Sequence, residues 1–196
     1  DEVKSKYLKQ LRQKIDDSIE IVNILPSEEN VLLERAEEFN AIIGAKVPRE
    51  FLKKAENLEY FIIPFVGIHP KDKEVLPDFN DLTVINTHFN APFVAEHAWA
   101  LLLTSIKKII PIHEKLKKGD WTPRYEYQCG KGLKDKNMLI LGYGEVGKSI
   151  GKIGKAFDMS VKAVKKSPEE TKEIDYLGTN DELIDLLKEA DYVICT

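Results

Sequence analysis

The sequence predicts an α/β protein built on doubly wound parallel sheets, and three observations carry that expectation. Short apolar runs alternate with helical patterns along most of the chain. Met138 to Leu141 is a continuous apolar run after the charged segment Lys134 to Lys136, which suits a strand buried on both faces. Glycines follow it at once, as Gly142-Tyr143-Gly144-Glu145-Val146-Gly147. Then Val146, Ile150, Ile153 and Phe157 recur at helical spacing, and Val161, Ala163 and Val164 read as the next strand.

Taken in order, Val3 to Ile15 is expected to be helical, because Val3, Tyr7, Leu8, Leu11 and Ile15 share a face. Glu20 to Leu25 reads as a strand, Glu28 to Glu37 as a helix, and Ala41 to Ile43 as a strand closed by Gly44. Pro48 opens a short helix reaching Ala55. Tyr60 to Phe65 and Leu82 to Asn86 are two further strands. Asn90 can cap a long helix with Pro92 in its first turn, where a missing N–H costs little. Its apolar face is wide: Ala95, Ala98, Trp99, Leu102, Leu103, Ile106, Ile109 and Ile110. Pro111 should kink or interrupt it, and Gly119 ends the pattern. Asp120 to Gly132 is loop-like. After Lys166, Ser167 to Glu170 could begin a short helix, and Tyr176 to Thr179 is a short strand. Asn180 is a second cap, before Leu183, Ile184 and Leu187, and Tyr192 to Cys195 is the last strand.

The glycine spacing carries the chemistry. A turn that brings backbone close to a pyrophosphate has no room for a side chain at Gly142 or Gly144. Gly147 lets the helix pack closely on the strand, and the N–H groups at the helix start meet the phosphate charge. The spacing G-x-G-x-x-G is weak evidence alone. Here strand, glycines, helix and second strand occur in the order the motif requires. The candidate cofactor-binding residues are therefore Gly142, Tyr143, Gly144, Glu145, Val146 and Gly147.

Bulk properties narrow the partners. A net charge of −4 implies no general affinity for nucleic acid or anionic membrane. No apolar run reaches transmembrane length. Cys129 and Cys195 are far apart and outside any C-x-x-C pattern, which fits a reducing cytoplasm and offers no metal site. Charged residues reach 32%, mostly Lys and Glu, a soft sign of a heat-loving source.

Three segments together resemble the D-isomer-specific 2-hydroxyacid dehydrogenases. They are Val94-Ala95-Glu96-His97-Ala98 through Leu101-Leu102-Leu103 with Gly119-Asp120-Trp121, then Gly130-Lys131-Gly132-Leu133 running into Gly142 to Gly147, and Ala190-Asp191-Tyr192-Val193. The resemblance implies two Rossmann-like, doubly wound parallel-sheet domains, the second incomplete in this chain. A flavodoxin-like substrate-binding domain is expected over residues 1–90, and the first part of a dinucleotide-binding domain over 91–196. It implies hydride transfer between a nicotinamide cofactor and a small 2-oxo or 2-hydroxy acid. The family's carboxylate-binding loop, close to Gly-Val-Gly-x-Asp, matches Phe65-Val66-Gly67-Ile68-His69. Val66 and Gly67 are retained, and their backbone N–H groups would hold the carboxylate, while Phe65 would narrow the pocket. The family's catalytic Arg, Glu and His are expected beyond Thr196, so no catalytic residue is assigned in this chain. Glu96-His97 is not a substitute, since adjacent helix residues point about 100° apart. His69, His88 and His113 read as ordinary loop, strand-end and helix residues.

Further expectations follow. The acid that NAD enzymes place about 20 residues past the glycines is absent, and the strand ends Val164-Lys165-Lys166-Ser167. Two ammonium groups and a hydroxyl suit a 2′-phosphate, so NADP is expected over NAD, with Lys165, Lys166 and Ser167 as its contacts. Glu169 and Glu170 could supply the missing acid if the turn is longer. A homodimer is expected around the helix from Pro92 to Ile110. The chain is expected to be a piece of a longer one, incomplete at both ends. The alternative reading of the same fold is a dinucleotide-sensing, non-catalytic interaction protein of the corepressor type.

Overall fold

A computed structural model describes residues 2–125 and 130–196, with side chains described from Tyr7 onward. The expected loop therefore lies partly outside the described residues, and so does Cys129. The chain forms two compact units, Asp1–Thr87 and His88–Thr196.

In the first unit, helix α1 (Glu2–Arg12) precedes α2 (Glu29–Glu34), β1 (Ala41–Ile43), α3 (Arg49–Lys54), β2 (Tyr60–Ile63), α4 (Pro70–Val75) and β3 (Thr83–Asn86). The three strands form a parallel sheet in the order β1-β2-β3. Phe61 and Ile63 of β2 are fully buried against Phe51, Leu52 and Ala36. Pro64 cannot donate to a ladder, so β2 stops short of the expected Phe65. The expected strand Glu20 to Leu25 does not form. Its polar groups are spent locally: the Ile21 carbonyl accepts from the Arg12 guanidinium at 3.3 Å, and the Leu25 N–H donates to Glu28 at 2.8 Å. No ladder partner reaches it among the described residues. Helix α4 was not expected from the sequence. Its Asp72 is 2% exposed and accepts the N–H groups of Lys46 at 2.9 Å and Val47 at 3.0 Å, which fixes the turn after β1.

In the second unit, α5 (Ala91–Ile106) and α6 (Ile109–Leu116) lead to β4 (Asn137–Leu141), α7 (Glu145–Ala156), β5 (Ser160–Val164), β6 (Tyr176–Gly178), α8 (Leu183–Glu189) and β7 (Tyr192–Cys195). The sheet is parallel, in the order β6-β5-β4-β7. Met138, Leu139 and Ile140 are buried, as a central strand covered on both faces requires. Helices α5 and α7 pack together on one face, around Ala95, Trp99, Ile150 and Met159, and Leu186 of α8 meets Leu139 and Val164 on the other.

The long helix does not run to Ile110. It stops at Ile106, and Lys108 takes a left-handed conformation at φ 52° before α6 begins. Pro111 explains this, because its ring would collide with the carbonyl of Lys107 in a continuous helix. Asn90 stands at the start of α5, but its side chain makes no cap bond. Ser167 to Glu170 is irregular, with bends at Lys166 and Ser167, and not a helix. The next fully buried side chain after Val164 is Ile174, so a single turn there would have no face to pack. A smaller shift occurs before α8, where the cap is Thr179, in a reciprocal box with Glu182, rather than Asn180.

Asp175 ties the segment back to the sheet. Its carboxylate accepts from Lys155 at 2.7 Å and from the Val161 N–H at 2.7 Å. The Lys155 bond, then the Val161 N–H, hold its pKa below the usual carboxylate range. A pKa lower in the folded than in the unfolded chain adds stability above the unfolded value, and that stability is lost as pH falls through the folded one. Asp175→Asn should therefore lower the melting temperature at neutral pH. Melting curves of variant and wild type should converge as the solution is acidified below the carboxylate range.

Candidate functional site

The turn after β4 is built by its glycines. Gly142 has φ +97°, and a Cβ there would lie 2.8 Å from the Thr196 carbonyl oxygen at the end of β7. Thr196 in turn closes the turn, its hydroxyl donating to the Gly142 carbonyl at 2.7 Å and its N–H to the Leu141 carbonyl at 2.9 Å. A Cβ at Gly147 would fall 2.2 Å from the Gly142 carbonyl oxygen, so the first turn of α7 can rest on the strand only without one. Gly144 differs. A Cβ there meets nothing within 4 Å, so the space beside it is open.

That open space faces the start of α7, whose first-turn N–H groups have no acceptor within the helix. Backbone donors and the helix dipole make it a seat for a phosphate. The fit of a dinucleotide is therefore good at Gly142, Gly144 and Gly147. Two of the candidate residues contribute differently from the glycines. Tyr143 is 2% exposed, and its ring sits in the core, so only its backbone is available. Val146 packs its side chain against the same core.

The charges around the turn form one group. Glu145 is exposed and bonds the Lys148 ammonium at 2.9 Å. Lys148 chiefly, then His88 and Lys165, hold the Glu145 carboxyl below its usual range. Lys148 is raised by Glu145 first, then by Glu173 and Glu169. A carboxylate at the mouth of a phosphate seat opposes an anion, and the Lys148 pair offsets it. Lys165 follows β5 directly, with its N–H on the Gly178 carbonyl at 3.0 Å and its ammonium 3.8 Å from the Glu169 carboxylate. Lys166 and Ser167 are exposed beside it. Sequence reasoning missed Lys148 and Glu173, and also Gly151 and Gly154. A Cβ at either of these glycines would come within 3.0 Å of Ile174 or Val161 respectively. Their spacing from Gly147 puts all three on the sheet-facing side of α7, a signal that was present in the sequence.

In the first unit, bends at Pro64 to Gly67 follow β2, and Ile68 and His69 are irregular. Asn86 donates to the Val66 carbonyl at 2.7 Å, and a Cβ on Gly67 would meet nothing within 4 Å. Phe65 is 59% exposed within its unit. His69 is not plain loop: its Nδ1 accepts the Lys71 N–H at 3.2 Å, capping α4.

Strand order and phosphate turn together define a class. The sequence β4, α7, β5, β6, α8, β7 with β4 inside the sheet is the first half of a dinucleotide-binding doubly wound domain, with the glycine turn after its first strand. The chain belongs to the D-isomer specific 2-hydroxyacid dehydrogenase family, whose NAD-binding domain matches residues 99–196. It is 28% identical to the D-3-phosphoglycerate dehydrogenase of Methanocaldococcus jannaschii over 89% of this chain and 33% of that one. It is also 28% identical to the hydroxypyruvate reductase of Thermotoga maritima, over 89% of this chain and 53% of the relative. A crystal structure of a D-isomer specific 2-hydroxyacid dehydrogenase family protein from Aeromonas salmonicida superposes with a TM-score of 0.77 at 23% identity, covering 98% of this chain and 60% of that one. At that identity the likeness concerns the fold alone. The chain thus spans a third of one relative's length and about half of the other's. Among the described residues no helix is long and apolar enough to cross a membrane.

Proposed function

We propose that the protein is an NAD(P)-dependent oxidoreductase that moves a hydride between a nicotinamide cofactor and a small 2-oxo or 2-hydroxy acid. The observation that carries this reading is the phosphate turn, with Gly147 seated on the Gly142 carbonyl and open space beside Gly144 at the start of α7. The relatives named as a dehydrogenase and a reductase support an enzyme over the non-catalytic, corepressor-like alternative. A bound nicotinamide would supply the hydride. The residues of this chain bind and orient: Gly142, Gly144 and Gly147 shape the turn, and the backbone of Tyr143, Glu145 and Val146 completes it. The N–H groups of Val66 and Gly67 would take the substrate carboxylate, as the family's loop does. The two unpatterned cysteines support a cytoplasmic setting. Assaying a panel of 2-oxo acids with both reduced cofactors tests the activity, and oxidation of neither cofactor by any acid would remove it.

NADP is favoured over NAD. Strand β5 ends at Val164 and Lys165 follows it, with no carboxylate in the sequence position that would take ribose hydroxyls. Lys165, Lys166 and Ser167 offer two cations and a hydroxyl to a 2′-phosphate. Glu169 lies 3.8 Å from the Lys165 ammonium but is 88% exposed, so it is a weak competitor. Lys165→Glu should weaken NADP binding by roughly 10-fold to 100-fold, the worth of a charge-assisted hydrogen bond, and NAD binding far less. Calorimetric titration with both cofactors checks this, and equal losses would remove the assignment.

A homodimer built on α5 and α6 fits the same reading. With one face of α5 packed on α7, Phe93, Leu101 and Ile110 remain 60% or more exposed, apolar side chains that a second copy would cover. Light scattering at micromolar concentration should give twice the chain mass, and a monomer would contradict it.

A further inference from the structure

Tyr143 stands between the first two glycines of the phosphate turn, where only its backbone can serve a cofactor. Its ring is buried beneath α7, 3.6 Å from where a Cβ on Gly151 would sit. Its hydroxyl emerges on the far side and donates to the Glu173 carboxylate at 3.3 Å. Glu173 belongs to the segment between β5 and β6 that begins with Lys165, Lys166 and Ser167. Between Ser167 and Ile174 no side chain of that segment is buried. The segment is anchored at its start by the Lys165 N–H on the Gly178 carbonyl and at its end by Ile174 in the notch left by Gly151 and Asp175 on Lys155 and Val161, with Tyr143 reaching it next to the second anchor. Thr171 adds to the same knot, its hydroxyl accepting the Glu173 N–H at 3.2 Å.

We infer that Tyr143 is a positioning residue for cofactor choice: through its hydrogen bond to Glu173 it holds the segment that presents Lys165–Ser167 to the adenosine 2′-phosphate. This rests on the proposed NADP reading. The residue between the glycines thus links the two anion sites of one nucleotide: its backbone borders the pyrophosphate seat, and its hydroxyl sets the loop that takes the 2′-phosphate. The contact also turns the Glu173 carboxylate to the phenol, while its charge still acts on Lys148. Burial, then the nearby Glu173 charge, raise the Tyr143 pKa, so the phenol stays protonated and able to donate through the neutral range.

The test uses Tyr143→Phe, which removes only the hydroxyl, and Glu173→Ala, singly and together, in the full chain. NADPH and NADH affinities are measured by calorimetry, and amide hydrogen exchange is followed over residues 171–175. The expected result is faster exchange in that segment, NADPH binding weakened about fivefold and NADH changed less than twofold. The double variant should bind NADPH no more weakly than Tyr143→Phe alone, because Tyr143→Phe already breaks the contact that Glu173→Ala removes. The melting temperature should stay close to wild type. Unchanged exchange in Tyr143→Phe overturns the inference. So does an equal loss of NADPH and NADH, which would mean a merely structural role. A wild type that prefers NADH removes the 2′-phosphate reading instead, and the anchoring of the segment then stands or falls on the exchange result.

Discussion

Gly147→Ala should weaken dinucleotide binding by roughly 100-fold, the scale of one to two lost backbone hydrogen bonds to a charged phosphate. The added Cβ would lie 2.2 Å from the Gly142 carbonyl oxygen, 3.2 Å from its carbon and 3.4 Å from Ile140 Cγ2. The first two are backbone atoms of the turn itself, so no side chain can rotate away. Helix α7 has to lift from β4, and its first-turn N–H groups move off the phosphate seat with it. Overpacking of this kind also costs about 1–3 kcal/mol of stability. Gly144→Ala separates the two effects. There a Cβ meets nothing within 4 Å, so the fold should be untouched while the space kept for the phosphate is filled. Melting curves and cofactor titrations of both variants check this. Gly147→Ala should lose stability and binding together, and Gly144→Ala binding alone.

Trp99→Ala should destabilise the second unit by about 3–5 kcal/mol, the range for deleting a large buried aromatic. Trp99 is 3% exposed, stacks on Phe157 with centroids 5.0 Å apart, and donates its indole N–H to the Ile150 carbonyl at 3.2 Å. The ring also closes over Gly154, where a Cβ would come within 3.5 Å of it. Truncation would leave a cavity between α5 and α7 and an acceptor without its donor. Denaturant unfolding followed by circular dichroism measures the loss. A cost under about 1 kcal/mol would mean that α5 is not integral to the nucleotide-binding unit.

Much of this was legible in the sequence because the signals are local. The apolar run at Met138 to Leu141, the glycine spacing and the stripe on Val146, Ile150 and Ile153 dictate a strand, a turn and a helix without reference to the rest of the chain. The family resemblance was legible for a similar reason, being carried by three linear segments. What failed depends on distant partners. Glu20 to Leu25 has strand composition, but a strand exists only where a neighbour completes its ladder. Pro111 was recognised as a helix breaker, yet its effect falls upstream, on the carbonyl of Lys107, so the boundary was misplaced. At Tyr143 and Val146 position in the motif speaks only for the backbone, and that their side chains pack in the core depends on distant neighbours. The partnership of Tyr143 with Glu173 spans a separation in sequence that no periodicity reports.

The central claim is that the His88–Thr196 unit seats a nicotinamide dinucleotide at the turn from Gly142 to Gly147. Titrating the full chain with NADPH and NADH, reading nicotinamide fluorescence, tests it most directly. The account predicts saturable binding of one cofactor per chain, tighter for NADPH, and lost in Gly147→Ala. Absence of saturation with either cofactor, or binding unchanged in Gly147→Ala, would contradict it.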